Sequence, residues 1–236
     1  MSLSRIQFVR NEEKKYHDFC YENYKLFEQG SWLYKPVETV MKSLRLLEEK
    51  ENLSVLDLGS GVGRNSIPIA QELKAHGGEI VCVDLLDSAI EKLKKYRKDF
   101  GVENIIKTVQ ADIGHYQIKK NAYDLIVSVS SLEHLTSEAT LDRVLQLMGE
   151  GTKRGGINCL IVNSEIEEIE IKSNKKLDAL VELNISTAAM SNKLDRVYKK
   201  WDVIQNIVKP LEFEIIRDQK AVLMKTNAIT YVVRKR

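Results

Sequence analysis

No two cysteines lie close together in this chain. There are three, Cys20, Cys82 and Cys159, and none forms a Cys-x-x-Cys pair. That spacing suggests neither a zinc site nor a disulfide framework. Cys82 and Cys159 lie in apolar runs and read as small core residues. The four histidines are equally scattered, with no pair at metal-ligand spacing on one helix; no metal is expected. No stretch approaches the ~18 consecutive apolar residues of a membrane span. Arg10 to Asp18 is polar, with no apolar leader core, so the expected location is the cytoplasm. A surplus of one charge is also missing. The 36 basic and 34 acidic residues leave a net charge of +2, which provides no global field for nucleic acid. The basic end Arg234-Lys235-Arg236 reads as a solvated strand end. Internal repeats and low-complexity segments are lacking too.

What is present is the composition of a globular protein, 43% hydrophobic and 30% charged over 236 residues. That length suits one domain with elaborations and a core that needs no staples. Residues Asn11 to Gln29 read as a helix ending at Gly30. A second helix starts at Pro36, with Val37, Val40, Met41, Leu44 and Leu47 at helical spacing.

After Asn52 the pattern becomes alternating strand and helix. Strands are expected at Ser54–Leu58, Glu79–Val83, Ile105–Gln110, Tyr123–Val129 and Ile157–Val162. The intervening helices carry Ile67, Ile69, Ala70 and Leu73, then Ala89, Ile90, Leu93 and Tyr96 after a Ser88 cap, then Leu141, Val144, Leu145 and Met148 after Thr136. Arg154-Gly155-Gly156 reads as a turn. Asn163 to Lys200 is charged and less regular. Phe213–Arg217 and Thr230–Val233 read as two final, antiparallel strands. The alternation predicts an α/β fold, a doubly wound Rossmann-like sheet with helices on both faces and ligands at the strand C-termini.

Gly59-Ser60-Gly61-Val62-Gly63 follows the first strand and precedes a helix. Glycines there let the backbone turn tightly and approach a ligand closely. A nicotinamide dinucleotide requires Gly-x-Gly-x-x-Gly, and the match fails, with Arg64 or Ser66 in the last place. Asp57, just before the turn, would also oppose a pyrophosphate by like charge. It suits the ammonium and sulfonium of S-adenosylmethionine (AdoMet). A P-loop is excluded, since no Gly-Lys-Ser/Thr follows. Asp84 ends the second strand at about the twenty-residue offset of a ribose-binding carboxylate. The plainer reading, a helix cap, fits Asp87 and Ser88 better. Asp112-Ile113 follows the third strand, where the carboxylate could meet an adenine amino group and Ile113 the ring; a turn aspartate is the plain alternative.

Together these features resemble the class I AdoMet-dependent methyltransferases over about Leu53 to Val162. The resemblance implies a seven-stranded sheet in the order 3-2-1-4-5-7-6 with strand 7 antiparallel. It also implies that Asp57, Gly59, Ser60, Gly61 and Gly63 hold the methionine moiety, Asp84 the ribose and Asp112 with Ile113 the adenine. Leu85 and Ser128 complete the expected cofactor set. Residues 53–236 are then a methyltransferase domain. Residues 1–52 are a helical segment of the same domain and a candidate lid, and residues 163–201 a candidate acceptor-site insertion. More narrowly, Gly61-Val62-Gly63-Arg64-Asn65-Ser66 and Leu194 to Trp201 are similar to the tellurite-resistance methyltransferases, which brings tellurite or selenite into view as acceptors. The charged run Glu165 to Lys176 does not follow that family.

Methyl transfer from a sulfonium is an in-line displacement that alignment and exclusion of water can drive, which fits the lack of a nucleophile constellation. The fourth strand ends at Ser128-Val129-Ser130-Ser131-Leu132-Glu133-His134-Leu135, beside the transferable methyl in this family. Two readings of His134 stand, general base or packing residue; Glu133 is expected in solvent. Enzymes acting on exocyclic base nitrogens carry an Asn/Asp-Pro-Pro-aromatic turn here, and cytosine-carbon enzymes a Pro-Cys turn. This chain has neither, so a small-molecule acceptor is expected and nucleic acid is not. Trp32, Tyr34 and Arg196, with Tyr198, are the expected acceptor contacts, and Arg196 would suit an anion. The rival functions are a nicotinamide-dependent oxidoreductase and a non-catalytic AdoMet-binding regulatory protein. Oligomeric state has no sequence signal.

Overall fold

The structure is a computed structural model that describes residues 4–217 and 220–236. Its strands are β1 (Leu53–Leu58), β2 (Gly78–Asp84), β3 (Ile106–Gln110), β4 (Tyr123–Val129), β5 (Thr152–Glu170), β6 (Lys175–Leu177), β7 (Asp202–Arg217) and β8 (Lys220–Arg234). Its helices are α1 (Arg5–Asn23), α2 (Glu38–Arg45), α3 (Ser66–His76), α4 (Asp87–Asp99), α5 (Glu138–Gly151) and α6 (Thr187–Val197).

The sheet order is β3-β2-β1-β4-β5-β8-β7. The first five strands are parallel, and β8 is antiparallel to both of its neighbours. Since β7 and β8 are the sixth and seventh strands expected from sequence, the expected order 3-2-1-4-5-7-6 is present. The added strand is β6, which pairs with the far end of β5 through Glu168↔Leu177 and Glu170↔Lys175.

Strand alternation sorts the core into two layers. Val55, Val127, Ile157 and Cys159 face a cluster with Val40 and Leu44 of α2, Ile67 and Leu73 of α3, and Leu93 of α4. Their neighbours Leu56, Ile126 and Leu160 face Leu141 and Leu145 of α5, and Met190 and Leu194 of α6. Both faces of the parallel strands are therefore dry, as their nearly continuous apolar runs require. The chain reverses winding between β1 and β4, so a crevice opens beyond the C-termini of those two strands.

Several boundaries differ from the sequence pattern. Helix α1 begins at Arg5, because Ser4 and Gln7 form a reciprocal capping box, and it stops at Asn23 well before Gly30. Helix α2 starts at Glu38, after Pro36 rather than on it. Ser88 does not cap α4; the cap position is Leu86, and Ser88 instead donates to Asp18 of α1. Gly155-Gly156 is no free turn, since β5 already runs from Thr152. The largest difference is length. Strands β5, β7 and β8 have 19, 16 and 15 residues and continue past the parallel core as a three-stranded ribbon. There Glu167–Glu170 pair with Val222–Lys225, and Leu211–Arg217 lie alongside. Residues 163–170 and 175–177 of the stretch expected to be irregular are therefore ladder, and Thr187–Val197 is helix.

Candidate active site

One cavity of about 750 Å³ fills the crevice. Its floor is the turn after β1. Gly59 (φ +78°) and Gly61 (φ +53°) both lie in the left-handed region that favours glycine. A Cβ on Gly59 would overlap Ser131, so the turn lies hard against the end of β4. Gly61 is open except for the Tyr21 hydroxyl, 3.2 Å from where a Cβ would stand. The Ser60 Oγ is buried without a partner and Ser60 lines the cavity. Gly63 does not line it; a Cβ there would stand 2.5 Å from Leu93 Cδ1, so this glycine permits helix packing.

Asp84, at the end of β2, uses both carboxylate oxygens. Oδ2 accepts from Gly61 N (2.8 Å) and Oδ1 from Leu86 N (2.9 Å). Each oxygen keeps a lone pair for a ligand hydroxyl. Burial pushes this carboxyl up, against the pull of the two backbone donors. Leu85 and Ile113 line the same end. Asp112 lines it too, but its Oδ2 already accepts from Arg10 Nη2 of α1 at 2.7 Å and its Oδ1 from Gly114 N. Burial alone would raise the Asp112 carboxyl; Arg10 and Gly114 outweigh it and hold it low.

Asp57 and Ser128 are not on the cavity wall. Asp57 is buried beneath the turn, where Ser66 Oγ donates to it at 2.5 Å, and burial pushes its carboxyl up to about 6. Ser128 is buried behind Ser131, 2.7 Å from its Oγ, and Ser131 Oγ donates to Leu58 O. Ser131 is the residue that reaches the cavity. Both Asp57 and Ser128 thus brace the turn from behind rather than present atoms to a ligand.

His134 lines the cavity, but its Nδ1 lies 2.9 Å from Glu182 Oε2. Burial alone would lower its pKa; the Glu182 bond, with Glu13 and Glu133 nearby, raises it to about 9. An imidazole held protonated through neutrality has no lone pair for a proton, which speaks against the general-base reading. Glu133 is not in solvent as expected. It is 2% exposed, with Oε1 accepting from Asn163 N and Nδ2.

Of the expected acceptor contacts, Trp32 lines the cavity and Tyr34 does not. Tyr34 is 42% exposed, with its hydroxyl near Gln29. Arg196 is also elsewhere. It pairs with Asp142 at 3.3 Å beside Trp201 in a separate cleft, because α6 packs on α5 with this face outward. Tyr198 is buried and accepts from Asn158 Nδ2 in the core.

The roof comes largely from residues that sequence reasoning passed over. Helix α1 contributes Arg10, Glu13, Tyr16, His17 and Tyr21, and the ribbon contributes Phe213, Arg217 and Met224. Arg217 Nη2 ties the two together by donating to Glu13 of α1 (3.1 Å) and Glu168 of β5 (3.4 Å). Arg64 stacks on Trp32 at 5.1 Å and donates to the Trp32 carbonyl. The available signal was alternation: Leu211, Phe213 and Ile215 recur every second residue. The α1 contacts left none, being polar residues on a helix of weak pattern.

The comparisons agree with this geometry. Residues 55–156 match the family model described as a methyltransferase domain. The carboxy-S-adenosyl-L-methionine synthase of Vibrio vulnificus is 23% identical over 176 residues, covering 72% of this chain and 68% of that protein. The enzyme of the same name from Erwinia tasmaniensis is 25% identical over 120 residues, covering 50% of this chain and 48% of its own length. Among solved structures, TehB from Haemophilus influenzae superposes with a TM-score of 0.62 at 21% identity, over 93% of this chain and 67% of that one. A SAM-dependent methyltransferase from Aquifex aeolicus gives 0.52 at 15% identity, over 80% and 88%. These structural likenesses establish the fold. With the methyltransferase-domain match over residues 55–156, these findings support a class I S-adenosylmethionine-dependent methyltransferase, with S-adenosylmethionine as its cofactor.

Proposed function

We propose that the protein transfers the AdoMet methyl group to a small-molecule acceptor by in-line displacement. The observation that carries this reading is the roof. The cavity that begins at Asp84 and Asp112 continues past the end of β4 and is covered there by α1 and the β5–β7–β8 ribbon. A chamber partly roofed in this way admits a small molecule and limits water, a setting in which alignment lowers a displacement barrier by up to ~7–11 kcal/mol. Among the described residues no helix is long and apolar enough to cross a membrane.

The cavity residues fit the cofactor. The orphaned Ser60 Oγ and the open backbone at Gly61 suit its methionine part, and the Arg64 guanidinium suits the carboxylate. The free lone pairs of Asp84 suit the ribose hydroxyls. Ile113 and Leu85 suit the adenine faces, with Asp112 shared between its amino group and Arg10. When bound, AdoMet supplies a methyl group already activated on a sulfonium. The chain's own part is to bind, orient and enclose.

Titration calorimetry tests the first half: S-adenosylhomocysteine should bind with micromolar Kd, and Asp84→Ala should weaken it about tenfold to a hundredfold. No heat at millimolar ligand, or an unchanged Asp84→Ala, would overturn the assignment. Mass spectrometry of the turnover mixture tests the second half. A methylated acceptor with S-adenosylhomocysteine is expected; a carboxylated AdoMet, the product for which the Vibrio vulnificus and Erwinia tasmaniensis enzymes are named, would redirect the function.

A further inference from the structure

We propose that the acceptor is an amine, held and deprotonated at Glu133, so that the product is an N-methylated ammonium. This rests on the methyl-transfer reading above. Glu133 lies just past β4 and lines the cavity. Asn163 occupies Oε1 through its N and Nδ2, whereas Oε2 is buried with no hydrogen-bond partner. A buried carboxylate oxygen without a donor is costly, and a cationic donor relieves it most fully. Burial also pushes the Glu133 carboxyl up, which makes it a better proton acceptor than an exposed acid.

The surroundings favour positive charge. Arg217 alone serves two carboxylates, Glu13 and Glu168, and Glu182 already answers His134 and Arg10. Tyr16 and Trp32 line the same chamber and already take guanidinium groups over their rings, at 5.9 and 5.1 Å. With Arg64 assigned to the cofactor's carboxylate, an anionic acceptor would meet an excess of carboxylate.

The step balances as follows. The ammonium passes one proton to Glu133 Oε2 and becomes a free amine. The nitrogen lone pair forms the bond to the methyl carbon while the methyl–sulfur bond breaks, its electron pair staying on sulfur. The products are neutral S-adenosylhomocysteine and a methylated ammonium, and Glu133 returns its proton to solvent.

The test is calorimetric, on protein loaded with S-adenosylhomocysteine. Ethylamine, phenethylamine and tryptamine are titrated against propionate, 3-phenylpropionate, indole-3-propionate, 2-phenylethanol and selenite. At least one amine should bind about tenfold more tightly than its carboxylate and alcohol counterparts. Glu133→Gln should erase that preference and leave S-adenosylhomocysteine affinity within about twofold. A carboxylate, alcohol or selenite binding as tightly as the amines would overturn the proposal. So would an amine preference that survives Glu133→Gln, or no binding by any amine. If Glu133→Gln does not fold, the wild-type comparison decides alone. Failure of S-adenosylhomocysteine itself to bind would instead strike the methyl-transfer reading, and it shows before any amine is added.

Discussion

Arg10 of α1 and Asp112 at the end of β3 are 102 residues apart in sequence and 2.7 Å apart in space. This contact closes the N-terminal helix over the β3 end of the cavity. The rest of the attachment is also mostly polar: Arg5 reaches Asp178 and the carbonyls of Ala179 and Val181, and Lys14 reaches Asp87. Val9, Cys20 and Tyr21 are the only residues of the helix that are buried. A helix held this way opens more readily than one held by an apolar stripe.

Arg10→Ala should therefore loosen the roof more than the fold. The lost charged hydrogen bond is partly solvated, which brings its worth to about 1 kcal/mol. S-adenosylhomocysteine should dissociate roughly fivefold faster, and amide exchange should quicken across α1 while β1 and β4 stay protected. Raising salt to about 0.5 M should mimic the change in wild type, because exposed pairs such as Lys14–Asp87 are screened. Unchanged exchange in α1 would show that other contacts carry the helix.

The His134–Glu182 pair predicts a pH window. The folded-state pKa of His134 is raised from 6.5 to about 9. A raised pKa stabilises the fold fully below the unfolded value, and that contribution is lost as pH rises through about 9. Glu182→Gln should lower Tm by roughly 4–8 °C at about pH 6, corresponding to about 2 kcal/mol. The gap should close towards about pH 10. Equal melting temperatures at acid pH would show that the pair is not ionised. If His134 only packs against Glu182, His134→Gln should leave the acid limb of the turnover pH profile in place; loss of that limb would restore the general-base reading.

Two glycines in one turn should fail differently. Gly59→Ala combines a left-handed φ with overlap on Ser131, costs of about 1–2 and 1–3 kcal/mol. Its Tm should drop by roughly 5–15 °C. Gly61→Ala has the φ cost but little overlap, so it should fold with a smaller Tm loss. Its methyl would stand where the cofactor approaches, and S-adenosylhomocysteine affinity should fall at least about tenfold. Calorimetric melting with ligand titration separates the two. Equal Tm losses would remove the distinction.

The limits of legibility follow from particular residues. Tyr123–Val129 reads as a buried strand in sequence and is one, end for end, because five apolar residues and Ser128 suit a site dry on both faces, and the one acid, Asp124, is paired with Lys153. The ribbon was hidden by Glu168. Along β5, Val162, Ser164, Ile166 and Glu168 are buried in alternation, but the last is an acid and breaks the apolar pattern. Its burial becomes tolerable because Arg217, 49 residues later, pairs with it and Leu180 N donates to it.

What the sequence determined by itself is whatever depends on neighbours along the chain. Strand and helix periods set the sheet, Gly59 and Gly61 set the turn, and Asp84 stands at a strand end where one of its oxygens meets the backbone donor of Leu86, two residues on. What only the tertiary structure decided is whatever depends on partners brought from afar. It moved Arg196 and Tyr34 away from the chamber, set α1 and the ribbon over it, and shut Glu133 from solvent. It also set Glu182 against His134 and so raised the pKa of that imidazole, because protonation answers to charge within a few ångströms in space, and Glu182 is 48 residues away in sequence.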